Sequence, residues 1–480
     1  MKRRNTNSPS LSGATPNEVG DRHRSYRRAL LRNLAVPLGV AVLFAAMCGT
    51  FVTYGLGQSA GATAASSRLV IAAKEQSAQR VRTAGELSFS TFTPPVSIPD
   101  NCSTDVTSAL NSWFASLPTF ATVNLPYDAC YLVSNSPSSD LIIQDTVVLT
   151  INGNGTTFKQ NTYVDTYDNH ADPQTPVLTI GSNFDLTINN VTLNGPTSNG
   201  GWNDEGNAGI LMWQNWIVTL NGITITNVEG DGLDVYPLGN EPGVNWYVTL
   251  NHSTIDHVGY KAIVPEAADH FTIENSTLVS NDIDAEVDFS CQGDLPNCGT
   301  MADPSIGVEN MIIEHDSFPT GLALEDEMSC MPVGNWTIDD NNFGTGGLLA
   351  QFDATYSLSL SALQACGRYS GLTIEGNTST DSQPPCCGAG SPYVLLQGWT
   401  NVRIANNHLV FALNQGLVGG PVVVLWGDTN VAITNNAFVN FFNLAWSDAP
   451  SGWPATTGVT ICGNTTGDAR YPVVAAACSG

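Results

Sequence analysis

Short runs of alternating apolar and polar residues, jointed by Asn and Gly, recur along most of the chain. The clearest unit spans Trp216 to Pro237, W-I-V-T-L-N-G-I-T-I-T-N-V-E-G-D-G-L-D-V-Y-P. Its apolar positions are Val218 and Leu220, then Ile223 and Ile225, then Leu233 and Val235. Strict alternation bounded by turn residues predicts short strands with one buried face. Related triplets are Leu186-Thr-Ile188, Val248-Thr-Leu250, Phe271-Thr-Ile273, Met311-Ile-Ile313, Trp336-Thr-Ile338, Leu372-Thr-Ile374, Val402-Arg-Ile404, Val431-Ala-Ile433 and Val459-Thr-Ile461. From Ile188 to Ile461 the second anchors of these units are spaced 23 to 40 residues apart. A self-similar step of that size predicts a solenoid, and strand-only units make it an all-β solenoid of about ten or eleven coils.

Two other patterns frame this array. Val106, Ala109, Leu110, Trp113, Phe114 and Leu117 fall on one helical face, with Ser103 or Thr104 as the expected N-cap and Pro118 as the stop. An amphipathic helix there would plug the open end of the solenoid. Further upstream, Leu34 to Leu56 carries no charge and follows Arg22, Arg24, Arg27, Arg28 and Arg32. Such a run is long enough to span a bilayer of ~30 Å hydrocarbon, and the arginines place the N-terminus in the cytoplasm. The expected organisation is a basic cytoplasmic tail (1–32), a transmembrane signal anchor (33–57), a juxtamembrane linker (58–96) and a β-helix domain (97–480). A cleaved signal peptide, leaving a secreted protein, is the alternative.

The run D-V-T-S-A-L-N-S-W-F-A-S-L-P, followed by V-N-L-P-Y-D-A-C-Y-L-V, resembles the N-terminal cap and first coil of right-handed parallel β-helix proteins. These form the pectate-lyase-like superfamily, with its polygalacturonases, polysaccharide lyases and phage tailspikes. The resemblance covers about residues 97–480. Three residues after successive anchors stand Asp316, Asn341, Asn377, Asn407, Asn436 and Asn464, a column that resembles the superfamily's interior Asn ladder. Asn suits such a column because it tolerates a left-handed turn and its amide can bond the coil above.

Charge narrows the partners. After residue 90 there are five basic against 39 acidic residues, a formal −34. Such a surface repels nucleic acid and polyanionic sugars unless metal ions intervene. Ten of the eleven cysteines lie beyond the expected anchor, and no C-x-x-C pair occurs, so disulfides rather than zinc are expected. The expected pairs are Cys102–Cys130, Cys291–Cys298 and Cys462–Cys478. Cys330, Cys366, Cys386 and Cys387 would share two further bonds in an undetermined order.

Candidate chemistry follows from columns. Aligning Gly209–Trp213, Gly232–Tyr236, Lys261–Pro265, Asp284–Asp288, Gly321–Glu325 and Gly347–Gln351 leaves Ile210/Met212, Leu233/Val235, Ala262/Val264, Ala285/Val287, Leu322/Leu324 and Leu348/Ala350 inward. Trp213, Asp234, Tyr236, Lys261, Asp284, Glu286, Asp288 and Glu325 then face outward. Carboxylates beside aromatic rings suit a glycan site, the rings stacking sugars and the acids moving protons. Asp234 and Glu286 are the expected catalytic pair, with Trp213, Tyr236, Lys261, Asp231 and Glu325 as substrate-binding residues. Asp284 and Asp288 are candidate ligands for Ca²⁺, the one cofactor considered.

A second carboxylate column, Glu274, Glu314, Asp339 and Glu375, lacks aromatic company and is expected to be solvated surface. His257, His270 and His315 are expected on turns. The polygalacturonase pattern of N-x-D, D-D, G-H-G and R-x-K is incomplete. Asn183-Phe-Asp185 lies outside the matching strand, Asp339-Asp340 belongs to the second column, and Glu229-Gly-Asp231-Gly-Leu-Asp234 matches its D-G-x-D part only loosely. A pectate-lyase-like calcium site with a basic residue would have Lys261 alone near the acids. The expected function is thus a membrane-anchored extracellular hydrolase of a polysaccharide. The alternative is a non-catalytic cell-surface glycan-binding adhesin or scaffold.

Overall fold

The computed structural model describes residues 90–134, 140–162, 175–196, 207–235, 245–265, 268–279, 282–284, 308–325, 333–345, 348–351, 369–380, 394–410, 421–439, 443–446, 454–467, 473–474 and 478. The expected anchor at 33–57 lies outside them; among the described residues no helix is long and apolar enough to cross a membrane. The coil around residue 220 shows how the alternation folds. Strands Ile210–Trp213, Ile217–Asn221 and Thr224–Val228 follow one another around three sides, and Leu233–Val235 begins the next coil. Each strand pairs in parallel with its counterpart one coil on, as Val218 does with Val248 and Leu220 with Leu250. One sheet contains eleven such strands in strict coil order, here called the second sheet. The result is a parallel β-helix with the expected number of coils.

The apolar anchors are the core. Leu186, Ile188, Val218, Leu220, Val248, Leu250, Phe271, Ile273, Trp336, Ile338, Leu372 and Ile374 are all buried. The last two anchors behave differently, Val459 and Ile461 being 38% and 40% exposed at the end of the stack. The helix is Thr107–Ala115, and it buries Leu110 and Phe114. It starts later than its periodicity implies, because Asn101–Asp105 is a strand and neither Ser103 nor Thr104 caps it. Asp105 takes the cap role instead, its Oδ1 accepting the Thr107 backbone N–H at 2.8 Å. The fold also begins before residue 97, since Ser90–Phe92 pairs in parallel with Ala121–Val123. Cys102–Cys130 and Cys462–Cys478 are disulfide-bonded as expected, one near each end. Cys291, Cys298, Cys330, Cys366, Cys386 and Cys387 lie outside the described residues.

The polar interior column is a continuous ladder. Backbone N–H groups of Asp316, Asn341, Asn377, Asn407 and Asn436 each donate to the Oδ1 of the next ladder residue, at 2.9 to 3.0 Å. Each Asn Nδ2 also donates to a strand carbonyl one coil back, such as Ile338 for Asn377 and Ile374 for Asn407. Turn N–H groups that no strand can reach are thereby satisfied inside a dry core. Ser276 and Ser253 extend the ladder toward the N-terminus. A second ladder, Asn183–Asn215–Asn245, holds another corner by the same bonds. It is invisible in the triplet pattern, because its members precede the anchors at a separate turn.

Asp316 is the exception within its ladder. Its Oδ1 accepts the Ser276 N–H, but its buried Oδ2 has no hydrogen-bond partner and, as a carboxylate, no proton to donate. Burial, reinforced by Glu274 and Glu314, pushes its pKa up to about 7. Burial does the same to Asp428 and Asp140, both pushed up to about 7.

Two outcomes follow for stability. Asn407→Ala strips partners from Asn377, Asn436 and Ile374 at once, and should cost roughly 2–5 kcal/mol by urea unfolding. A loss under ~1 kcal/mol would mean that the ladder is ornamental. For pH, the folded state holds protons on Asp316, Asp428 and Asp140 that the unfolded chain releases from about pH 4 upward. Stability from these groups is therefore present at low pH and lost as pH rises toward 7. Glu375, held below the usual range mainly by its hydrogen bonds to Arg403, works in the opposite sense, but at lower pH. The melting temperature should be higher at pH 5 than at pH 7.5. Asp316→Asn, which supplies the missing donor, should raise it at pH 7.5 and flatten the drift. A melting temperature that climbs from pH 5 to 7.5 would refute this account.

Candidate functional site

The second sheet sets which side chains share its outer row. Leu233 lies opposite Ile210 on one side and Ile263 on the other, Ile263 opposite Ile283, and Ile283 opposite Leu324. Side chains alternate along each strand, so the outward row runs Thr179, Leu211, Asp234, Val264, Asp284, Glu325 and Gln351. Asp234, Asp284 and Glu325 thus share one row. Leu322, Leu324 and Leu348 point into the core as expected.

This register corrects the sequence alignment from Lys261 onward: that strand moves by one position, and the strands at Asp284, Gly321 and Gly347 each move by two, which brings Glu325 into the row of Asp234. Ala262, not Lys261, stands opposite Gly232, so Ile263 is inward and Val264 outward. The slip arises because Ala262-Ile263-Val264 is apolar throughout and buried on both faces, which erases the alternation. Lys261 is displaced from the outward row into the preceding turn. The described part of the next strand is Asp282–Asp284, and Ile283 rather than Ala285 stands opposite Ile263 in the column of Leu233; Ala285 and Val287 lie outside the described residues. Asp284, not Glu286, is therefore the carboxylate two coils from Asp234, at about 9.6 Å by strand spacing. Glu286, Tyr236 and Asp288 lie outside the described residues, and of Asp284 and Glu325 the backbone alone is described. Of the two expected Ca²⁺ ligands, Asp284 stands level with Asp234 in this row and Asp288 lies outside the described residues.

The outward row is well covered. Thr179, Leu211, Asp234 and Val264 are 5%, 8%, 5% and 3% exposed, so Asp234 is a nearly buried acid between Leu211 and Val264. Trp213 is half-buried in the neighbouring row, and its indole lies over Gly181 of the preceding coil, where any Cβ would collide with the ring.

Asp231 and Lys261 meet at the corner leading into this sheet. They occupy the same position in successive coils, and both are buried. The Lys261 backbone N–H donates to Asp231 Oδ1 at 3.0 Å, and Lys261 Nζ sits 4.6 Å from the Tyr260 ring centroid. One coil back, Thr175 Oγ1 donates to Asn207 Oδ1 at 2.9 Å. Gly232 is required at this corner because a side chain would run into the Ala262 carbonyl and the Ile255 side chain.

The acids of the other column are in register as expected, Glu274 with Glu314, Asp339 and Glu375 one coil apart each. Arg403 closes the column on Glu375 at 2.6 and 3.1 Å, and Asn406 adds a bond at 2.8 Å. Burial, with Asp340 and Glu375 beside it, pushes the Asp339 carboxyl upward. His257, His270 and His315 all sit in left-handed turn positions.

Like the Asn183–Asn215–Asn245 ladder, a column of rings lies outside the triplet pattern. Phe184, Trp216 and Trp246 stack along the corner that follows the second sheet, with ring centroids 6.2 and 5.3 Å apart. Their spacing of 32 and 30 residues is the repeat step itself, so aligning aromatic residues as well as aliphatic anchors would have revealed them.

The architecture aligns with that of PfbA, a surface adhesin of Streptococcus pneumoniae, at TM-score 0.52 and 11% identity, over 78% of this chain and 94% of that one. A family 28 exopolygalacturonase of Yersinia enterocolitica aligns at TM-score 0.49 and 12% identity, over 79% of this chain and 78% of its own. The A-module of the mannuronan C-5 epimerase AlgE6 of Azotobacter vinelandii aligns at TM-score 0.44 and 18% identity, over 79% of this chain and 99% of that one. Similarity at such identities is a similarity of fold. No protein-family model matches the sequence, and no curated protein does.

The corner geometry makes Asp231 separable from the outward acids. Asp231→Ala removes the acceptor for a buried N–H and should cost about 1–3 kcal/mol in unfolding free energy, whereas Asp231→Asn keeps an acceptor oxygen and should cost less. Equal losses in both would show that the carboxylate charge, and not this bond, is what the corner needs.

Proposed function

We propose that this right-handed parallel β-helix, of pectate-lyase-like architecture, is a polysaccharide hydrolase working along the outward row of its second sheet. The observation that carries the reading is the placement of Asp234 and Asp284 in one row, two coils apart. About 9.6 Å between strands sits near the upper limit for two carboxyls that admit a water between them, the arrangement of an inverting hydrolase. One acid would protonate the leaving oxygen, while the other would draw the proton from the attacking water. Trp213 would stack a sugar ring at the edge of the row. Glu325, one coil beyond Asp284, would bind substrate hydroxyls, as would Tyr236. Lys261 and Asp231 would shape the corner from beneath.

The domain is proposed to stand outside the cell on the 33–57 anchor. The disulfides Cys102–Cys130 and Cys462–Cys478 support an oxidising compartment. The second reading is a non-catalytic cell-surface glycan binder. The near-complete burial of Leu211, Asp234 and Val264 favours it, since a working cleft must admit substrate. The surface adhesin among the aligned structures also supports it.

Reducing-sugar release from a panel of polysaccharides distinguishes the two. Asp234→Asn and Asp284→Asn should each lower turnover about 100-fold or more, as loss of an acid or base does. Glu314→Gln and Glu375→Gln, in the solvated column, should leave turnover near wild type. Glu286→Gln belongs in the series, and a loss confined to it and Asp234→Asn would restore Glu286 as the partner acid. Glycan binding without turnover in any variant would leave the adhesin reading standing. For the anchor, alkaline extraction should leave the full chain in the membrane; release of a shortened soluble form would mean a cleaved signal peptide.

A further inference from the structure

Trp246 ends a column of rings at the surface. Phe184, Trp216 and Trp246 occupy one position in three successive coils, each fixed by the bond from its backbone N–H or by its register to the Asn ladder beside it. Among the described residues Trp246 continues the ring stack on one side, toward Trp216 at 5.3 Å. In the next coil the same position is Asp269, and in the one after it Glu309. Trp246 is 37% exposed, whereas Trp336 and Trp399 are fully buried. An indole is a costly group to leave in water, and here it is held in place by a stack rather than tucked away.

Polar groups converge beside that ring. Asp269 Oδ1 accepts a hydrogen bond from Asn310 Nδ2 at 2.7 Å, which fixes the carboxylate. His270 Nδ1 lies 2.8 Å from the same oxygen, in a close contact whose angle is wrong for a hydrogen bond. The His270 ring packs at 4.6 Å on Tyr247, the residue after Trp246. The Asp269 and His270 side chains are 21% and 38% exposed, so a ligand can reach them. One coil thus presents an indole, and the next a positioned carboxylate with an imidazole at its side.

We propose that Trp246, with Asp269 and His270, forms a subsite for a neutral glycan. The apolar C–H face of a pyranose would cover the indole, and ring hydroxyls would donate to the Asp269 carboxylate. The neutral class follows from charge. A uronate would meet Asp269 and Glu309 on a domain carrying a formal −34 over residues 91–480. A hexose polymer meets no such penalty. Trp246 follows Asp234 in the same coil, one corner on from the outward row, so a chain bound here leads toward that row. The subsite rests on the polysaccharide reading above, and assigns it both a ligand class and a place of entry.

The test measures binding rather than turnover. The full chain in detergent is run by affinity electrophoresis through gels containing hydroxyethyl cellulose, a neutral glucan, or polygalacturonate. Wild type should be retarded by the glucan and not by polygalacturonate. Trp246→Ala should weaken glucan retention about tenfold, and Asp269→Asn should weaken it measurably. Glu314→Gln, in the other column, should retain as wild type does. Oxidation of wild type by N-bromosuccinimide, mapped by mass spectrometry, removes dependence on the folding of any variant: the glucan should slow modification at Trp246. Unchanged retention in Trp246→Ala, unslowed oxidation of Trp246, or tighter binding of polygalacturonate than of glucan overturns the subsite. Retention lost in Asp234→Asn but kept in Trp246→Ala would sink this subsite alone. Retention of neither glycan would sink it together with the polysaccharide reading.

Discussion

Parallel pairing between consecutive coils is the interaction on which the other features lean. A strand in the stack bonds to the same strand one coil earlier and one coil later, about 4.8 Å away on each side. A residue's neighbours are therefore its counterparts in adjacent coils rather than its neighbours in sequence. The corners are where this scheme runs short, because a turning backbone points N–H groups where no strand can meet them. Asn side chains meet them instead, and the bonds of one Asn stack on those of the next. Beside that interior column, the outer turn positions take left-handed backbone at His252, Asn275, His315, Asp340, Gly376, Asn406, Asn435 and Gly463. That conformation is one that Asn, Asp, His and Gly accept readily, which explains why these residue types mark the joints.

The same logic explains what was legible in the sequence. The sheet that contains Ile217–Asn221, Tyr247–Asn251 and Phe271–Glu274, here the first sheet, alternates cleanly, since its outer face meets water at Thr219, Thr249 and Thr272, and its register is legible directly. The ladder from Asp316 to Asn464 stood at a constant offset from those anchors. The second sheet hid its phase. Ile210-Leu211-Met212 and Val394-Leu395-Leu396 are buried on both faces, so inward and outward positions look alike in composition. The candidate site lies on that sheet, which is why the sequence alignment sets Lys261 one position and Asp284 two positions out. The strands of Trp213 and Asp234 are in the register that the sequence alignment gives, Leu233 opposite Ile210. The Trp246 stack lies outside the aliphatic pattern for a different reason: its rings stand two positions before the anchors Leu186, Val218 and Val248.

Acids in this protein occupy two kinds of column, and their surroundings differ. Glu274, Glu314, Asp339 and Glu375 repeat without interruption, one coil apart. Repulsion between them is softened by water and by Arg403 at the end. Asp234 stands instead between Leu211 and Val264 and is 5% exposed. A carboxylate costs far more to hold there than on a hydrated face. A chain rich in acids has no need to spend one in such a place for solubility. The unevenness of this cost, rather than the number of carboxylates, is what sets Asp234 apart from the acids of the other column.

Basic residues set the remaining limit on chemistry. Beyond residue 90 the chain has Lys159, Lys261, Arg368, Arg403 and Arg470. Arg403 is bound to Glu375 in the solvated column, on the first sheet. Lys159 ends a strand that pairs with Leu132 and Asn194, also in the first sheet. Lys261 is buried at the corner before the second sheet, with its Nζ over the Tyr260 ring. A surface that gripped uronates, or took a proton from the carbon beside a carboxylate, would need cations on the outer row itself. The described positions of that row supply Thr179, Leu211, Asp234, Val264, Asp284, Glu325 and Gln351, which offer acids and an amide in place of a cationic clamp. Acid-assisted cleavage of an uncharged chain is the chemistry such a row can support, and the indole at Trp246 suits the same kind of chain.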